Sequence, residues 1–419
     1  MSEVAQAPHS SPDGHIPQLR FPEFSGEWGR KLFNNIVDII DGDRGVNYPK
    51  SNDFFNDEYC LFLSAKNVTK NGFIFNETQF ITKERDALLR KGKLSRGDIV
   101  LTTRGTVGQF AFYSDDVLYD NIRINSGMVL LRNNNDNLLN SYFFKACKSF
   151  QISRQIKIVA FGSAQPQLTV KEINKIKISL PAKPEQQKIA AFLTAVDNKI
   201  EQLSKKQELL DEYKKGLMQQ IFSQAVRFRA GDTPGQPLLP NGNSPSGSDF
   251  PNWEEKRLGD LCEITTGKLD ANAMVEGGQY RFYTCAKEYY KIDDYAFDTD
   301  ALIVSGNGAN VGYIHHYQGK FNAYQRTYVL DSFTDNIIFV KFVLDEYLHK
   351  RIMKEKNEGN TPYIVMGTLT DMKINLPSFS EQTKISNFLS SIDNKIEQVG
   401  KQLDESKQFK KALLQQMFV

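Results

Sequence analysis

One stretch of this chain occurs twice. The first copy reads IKISLPAKPEQQKIAAFLTAVDNKIEQL from Ile176 to Leu203, and the second reads MKINLPSFSEQTKISNFLSSIDNKIEQV from Met372 to Val399. They align without a gap, and the match runs on to Gln219-Gln220-Ile221-Phe222 against Gln415-Gln416-Met417-Phe418. About half of the positions from Ile178 to Phe222 are identical, so whatever unit this stretch closes is built twice.

The repeat also has a beginning. FPEFSGEWGRKLFNNIVDIIDG (Phe21 to Gly42) resembles FPNWEEKRLGDLCEITTG (Phe250 to Gly267), with Trp28 against Trp253 and a glycine ending both. Between these markers each half holds a variable body. In the first, short β-type runs at Tyr59–Leu63, Asp98–Thr102, Gln109–Tyr113 and Met128–Leu131 alternate with glycine and asparagine turns, and Leu138–Gln151 reads as helical. In the second, Ala301–Val304, Val311–Ile314 and Thr327–Leu330 read as strands, and Ile337–Lys356 as a helix. LTTRGTVGQFAFY (Leu101 to Tyr113) and IVSGNGANVGYIHHY (Ile303 to Tyr317) both read as strand, glycine-rich turn, strand. GSAQPQLTV at Gly162 stands opposite GNTPYIVMG at Gly359, with Pro166 against Pro362.

Each body ends at a proline, Pro181 or Pro377, where a long helix is expected. Glu185-Gln186 and Glu381-Gln382 fall in its first turn, where acidic groups suit the helix dipole. Apolar residues recur at Ile189, Leu193, Val196, Ile200 and Leu203, and at Ile385, Leu389, Ile392, Ile396 and Val399. The alternation of four and three is an a/d seam, expected to resume at Tyr213 and Phe409. Lys199, Glu201, Lys205 and Lys206 form a polar rim beside it. The stretch AGDTPGQPLLPNGNSPSGSD between the halves is a linker by composition, long enough to let the helices lie antiparallel.

The expected architecture is therefore α+β: two mixed α/β domains separated by two long antiparallel helices forming a coiled coil, with a pseudo-two-fold internal repeat. Its expected limits are a disordered leader at 1–18, a first body at 19–181, a first long helix at 182–226, a linker at 227–249, a second body at 250–377 and a second long helix at 378–419. The leader has neither the basic start nor the apolar run of a secretory signal. No apolar run is long enough for a membrane helix, so no membrane partner is expected. The four cysteines, far apart and without a CxxC pair, read as free thiols of a reducing cytoplasm. A net charge of +2 means that any nucleic-acid surface is local. Lys83–Arg96 is the most basic run.

No catalytic constellation is legible. There is no GxxxxGK[ST] loop, and the glycines at 306, 308 and 312 precede a strand rather than the helix that a dinucleotide fingerprint must open. The chain has no Pro-Pro, which an adenine methyltransferase motif requires, so a self-contained modification enzyme is disfavoured. His315 and His316 are strand neighbours and point to opposite faces, so no metal site is expected.

Two variable bodies, each closed by a Leu-Pro…Glu-Gln…Ile…Asp-Asn-Lys-Ile-Glu-Gln helix, resemble the specificity subunits of type I restriction-modification systems. The openings at Leu19–Trp28 and Phe250–Leu261 and the RGTVG turn at Arg104–Gly108 carry the same resemblance, which covers the chain after about residue 18. It implies a non-catalytic chain in which each body reads one half of a bipartite, asymmetric target in double-stranded DNA. The helices set the spacing and dock two modification subunits, and restriction subunits join them. S-adenosylmethionine, ATP and Mg would be held by those partners, with no cofactor in this chain. The alternative is a coiled-coil adaptor with two protein-binding heads.

Base edges are read chiefly by Arg, Lys, Asn and Gln, and glycine turns bring such side chains close. The DNA-contacting candidates are Arg104, Gln109, Arg123, Gln165 and Gln167 in the first body. In the second they are Lys268, Asn307, Asn310, Gln325, Arg326 and Tyr363.

Overall fold

The computed structural model describes residues 16–160, 166–228, 250–355 and 362–419, together with the backbone of 239–240. The chain divides into two compact units, one of residues 1–203 with 402–419, the other of residues 204–401. Each unit thus contains a body, half of one long helix and part of the other.

In the first unit, Gly29–Leu32 pairs antiparallel with Lys177–Leu180, which ties the start of the body to its end. A four-stranded antiparallel sheet follows in the order Val37–Asp41, Met128–Asn133, Ile99–Thr102, Phe110–Phe112. A smaller sheet joins Phe80–Ile81, Cys60–Phe62 and Ile122–Arg123. One face of the larger sheet buries Ile99, Leu101, Val129 and Leu131 against helices, and the other turns Val100 and Leu130 toward the smaller sheet. This alternation is the period of two expected of a sheet covered on both sides.

The second unit repeats the plan. Glu254–Arg257 pairs with Lys373–Leu376 as the closing ladder. A six-stranded sheet runs Glu263–Thr266, Thr327–Asp331, Phe297–Ser305, Ile314–Ala323, Tyr280–Tyr283, Tyr290–Ile292. Helix Ile337–Glu355 buries Phe339, Val343 and Leu348 against it.

The long helices span Lys183–Phe222 and Phe379–Gln416. At 40 and 38 residues they extend roughly 60 Å each. Within the second unit their segments run antiparallel. Lys214 bonds Asp393 at 2.5 Å, while a Cβ on Gly400 would stand 3.2 Å from Gln207, so moving forward along one helix moves backward along its neighbour. Within the first unit, Lys410 and Lys145 both bind Asp197. The seam residues Ile189, Leu193, Leu203, Ile385, Leu389, Ile392 and Val399 are buried, and Val196, Ile200 and Ile396 partly so. Tyr213 and Phe409 are not seam residues: they are 54% and 52% exposed. The cause is the break in spacing at Lys206 and Ser406, after which Leu217 and Leu413 carry the apolar stripe inward.

The helix starts are held by a buried ion pair. Glu185 accepts both Nε (2.7 Å) and Nη2 (2.8 Å) of Arg20, and Glu381 accepts Nε (3.0 Å) and Nη2 (2.7 Å) of Arg227. Both carboxylates are inaccessible, and the two charge-assisted bonds of each fork replace the water they have lost. The neighbouring glutamines act alike. Gln186 accepts from Leu139 N–H and donates to Pro181 O, while Gln382 accepts from Asn336 N–H and donates to Pro377 O. Arg227 therefore belongs to the fold, although it falls in the stretch expected to be linker, and Val226–Arg227 pairs with Leu239–Pro240. Leader residues 1–15 and linker residues 229–238 and 241–249 lie outside the described residues.

The helical stretch Leu138–Gln151 is shared by two helices, Asn140–Cys147 and Phe150–Ala160, because the first stops after Cys147 and Ser149 accepts from Ile152 N–H to begin the next. One further expectation changes. Val311–Tyr313 is turn, not strand, since Gly312 N–H bonds back to Ser305 O and the strand starts at Ile314.

Arg123 is also internal. Its guanidinium is 7% exposed and donates to Asp86 Oδ1 (2.5 Å), Asp86 O, Lys91 O and Leu89 O, which leaves no face for a base. Burial pushes the Asp86 carboxyl up, but hydrogen bonds from Lys93 and Arg123 outweigh it and hold the group below the usual carboxylate range.

Two stability predictions follow from these buried pairs. Arg227→Ala removes the charge partner of Glu381 and leaves its buried carboxylate the 3.2 Å bond from Trp253 Nε1–H, and should destabilise the second unit by about 3–5 kcal/mol in denaturant unfolding; a loss under about 1 kcal/mol would show that Trp253 or another partner suffices. Asp86→Asn should be strongly destabilising at pH 7. A depressed carboxylate stabilises above its unfolded pKa of about 3.9, and that contribution is lost as pH falls through the folded value. The gap between Asp86→Asn and the parent should therefore narrow toward pH 3, and an unchanged gap would contradict the pairing.

Candidate nucleic-acid interface

Each body builds its glycine-rich turn in the same way. In the first, Thr102 N–H donates to Gln109 O and Gly108 N–H donates back to Thr102 O. In the second, Ser305 N–H donates to Tyr313 O and Gly312 N–H to Ser305 O. Gly105, Gly108, Gly308 and Gly312 all have φ between 71° and 87°, the left-handed region that other residues enter only at a cost. Gly108 and Gly312 also lack room: a Cβ would come within 3.1 Å of Ile156 in the first body and 2.9 Å of Ile352 in the second. The turn is thus pinned on the helix behind it, and its tip faces solvent.

In the first body Arg104 is exposed at this tip, Gln109 half-buried at its base, and Gln167 exposed beside it, because Leu168 N–H donates to Thr103 O at 3.0 Å. The structure brings these three together. Gln165 lies outside the described residues, and Arg123 is absent from this edge for the reason given above. Sequence reading missed Arg44, while Arg90 and Lys91 lie in the basic run 83–96 that it singled out. With Asp41, Asp43 and Gly45 they line a cleft of about 350 Å³ beside the 125–127 turn, where Arg44 donates to Ser126 O and to Asp41. Arg90 N–H donates to Asp43 at 2.6 Å and holds that carboxyl below its ordinary range. The only signal for Arg44 was its place just after Gly42, the glycine shared by both halves. Elsewhere in the basic run, Arg85, Lys93 and Arg96 are tied to Asp53, Asp86 and Asp120.

In the second body all six candidates share one edge. Asn307 forms a backbone bridge with Tyr363, which is 57% exposed. Gly306 N–H donates to Arg326 O at 2.9 Å, which sets the 324–326 turn beside them. Gln325 N–H donates to Leu269 O next to Lys268, and its side chain bonds Asp270. Asn310 donates to Cys285 O. Lys268, Gln325 and Arg326 are exposed, while Asn307 and Asn310 are half-buried.

An aromatic group adjoins this edge. Arg281 lies 4.4 Å from the Tyr289 ring and 4.2 Å from the Tyr317 ring and bonds the Tyr283 hydroxyl. His315 packs on Tyr283 and Tyr313 and bonds Ala286 O, and burial pushes its imidazole below its ordinary range. His316 bonds Asp300 on the opposite side. Among the described residues no group of three or more His, Cys, Asp or Glu is placed to hold a metal ion, and no helix is long and apolar enough to cross a membrane. Cys60, Cys147 and Cys262 are buried free thiols and Cys285 is half-buried.

Such an arrangement offers two shallow edges of Arg, Asn, Gln and Tyr on rigid glycine turns. It suits contact with a polar, extended surface more than enclosure of a small substrate.

Known proteins place the chain in context. The type I restriction modification DNA specificity domain matches it twice, over residues 32–211 and 251–406. The specificity subunit of the type I restriction enzyme EcoDI of Escherichia coli is 41% identical over 167 residues, 39% of this chain and 37% of that protein. The specificity subunit of the type I restriction enzyme MjaVIII of Methanocaldococcus jannaschii is 26% identical over 369 residues, 80% of this chain and 79% of that protein. In fold, the chain is similar to the crystal structure of the S subunit of a type I restriction-modification system from M. genitalium, with a TM-score of 0.64 at 16% identity, covering 96% of this chain and 99% of that one. With both halves matched by one family and the turns, ladders and helix starts built twice, the chain belongs to the type I restriction modification DNA specificity family.

Proposed function

We propose that this chain is the DNA-specificity subunit of a type I restriction-modification complex. Its bodies, residues 19–181 and 250–377, each recognise one half of a bipartite, asymmetric DNA target. The observation that carries this reading is the duplicated edge: one backbone frame, made twice, presents different polar side chains, as two readers of two different half-sites require. The chain itself performs no chemistry. S-adenosylmethionine, ATP and Mg belong to its partners, two modification subunits and the restriction subunits that join them, in the cytoplasm of the cell.

The long helices are the docking elements of this proposal. Tyr213 and Phe409 occupy matching positions in the repeat, and each presents an exposed ring, with Leu209 exposed one turn before Tyr213. Solvent-facing aromatics at duplicated positions suit a partner that comes in two copies.

Two experiments test the proposal. The purified chain should retain duplex DNA on a filter, with binding that weakens by roughly 10³-fold or more between 50 and 200 mM salt as phosphate contacts are lost. Salt-insensitive or undetectable binding would favour the adaptor with protein-binding heads, and adenine methylation by the pure chain would contradict a non-catalytic role. Tyr213→Ala with Phe409→Ala should weaken capture of co-expressed modification subunits about 30-fold or more while leaving the melting temperature unchanged. Undiminished capture would remove these rings from the docking surface.

A further inference from the structure

Both bodies contain the same three-way backbone junction. In the first, Thr103 N–H donates to Gly127 O at 2.8 Å, and Thr103 O accepts from Leu168 N–H at 3.0 Å. In the second, Gly306 N–H donates to Arg326 O at 2.9 Å, and Gly306 O accepts from Ile364 N–H at 2.8 Å. The junction fixes three neighbouring positions in matched places: Arg104, Gly127 and Gln167 in one body, Asn307, Arg326 and Tyr363 in the other.

The residues that make this frame have internal duties. Leu168 and Ile364 are buried, Gly108 and Gly312 lie against Ile156 and Ile352, and a Cβ on Gly306 would come 2.3 Å from Arg326 O. At the three positions around the frame the main chain takes part in it, but the side chains show no such duty. Among the described residues, the side chains of Arg104, Gln167, Asn307, Arg326 and Tyr363 make no hydrogen bond or ion pair. They also differ between the bodies at every position. The arginine has changed turns: it stands at 104 beside a glycine at 127, and at 326 beside an asparagine at 307. Polar side chains without a partner among the described residues, on a rigid frame built twice, are open to a ligand outside the chain.

We infer that these three positions are the base-reading head of each body, an assignment that rests on the DNA-specificity reading above. Arg104 reads a guanine in one half-site and Arg326 a guanine in the other, each through the fork that matches O6 and N7. Gln167 and Asn307 read adenine through N6 and N7. Arg44, Arg90 and Lys91, on the flanking cleft, contact phosphate and carry no sequence preference.

The test is selection of bound sequences from a fully randomised duplex library by the full-length chain, its Arg104→Ala variant and its Arg326→Ala variant. The parent should enrich a two-part motif with a guanine in each part. Arg104→Ala should lose roughly 5- to 150-fold discrimination at one guanine while the other part is retained, and Arg326→Ala should do the converse. Loss of total binding with the motif unchanged would make these residues phosphate contacts and overturn the inference, as would an effect of both variants on the same part. A parent that enriches no motif would overturn the DNA-specificity reading and this inference with it. If an alanine variant melts early, Arg104→Gln and Arg326→Gln, which keep a long polar side chain and lose the guanidinium fork, must remove the guanine preference at the same motif positions.

Discussion

The buried clasp between an arginine and the first-turn glutamate of each long helix is the constraint on which the rest of the structure depends. A carboxylate removed from water is costly unless its lone pairs are met, and a bidentate guanidinium meets both oxygens at once. Arg20 does this for Glu185 and Arg227 for Glu381. Each arginine also bonds backbone carbonyls beside it, Gly26 and Ser25 in one case, Pro251 in the other. Strand entry, helix start and the loop held by Gln186 or Gln382 therefore meet at one point. The helix leaves each body in a fixed direction, and the body is closed by its two-stranded ladder.

That rigidity explains how the same edge is presented twice by bodies with little sequence in common. The sheets differ in size, four strands against six, and in what covers them. What is kept is the path from the glycine after the opening strand, through the glycine-rich turn, to the segment before the closing strand. Gly42 and Gly267 show how tight this path is: a Cβ would fall 2.2 Å from Asn125 O in one body and 1.9 Å from Ala323 O in the other. Close backbone packing sets the frame and leaves the tips free to vary, which is how one scaffold serves two different recognition tasks.

The helices and the repeat were legible because their signals are local: an a/d spacing, a proline before the start, a duplicated run of letters. The contacts across the chain were not. Arg227 sits beside a stretch rich in proline, glycine and serine and was placed with it, because nothing nearby in sequence reveals Glu381 as its partner. Arg123 was placed on the DNA-facing edge for the same reason, since Asp86 lies on a separate element. Tyr213 and Phe409 continued the apolar rhythm on paper, and the shift in spacing at Lys206 and Ser406 turned them outward. The glycine turns fared better. Arg104 and Gln167, distant in sequence, were both proposed for their own turns, and the Leu168–Thr103 hydrogen bond brings them together. Arg44 and its cleft were missed, because a single arginine after a glycine carries no pattern.

The central claim is that two equivalent edges, one in each body, meet DNA together. Amide hydrogen exchange of the full-length chain, free and bound to a duplex selected by it, tests this most directly. The account predicts slowed exchange at 103–109, 125–127 and 166–168, and at 306–313, 324–326 and 362–364, with little change on the long helices. Protection confined to one body, or to the helices, would contradict it.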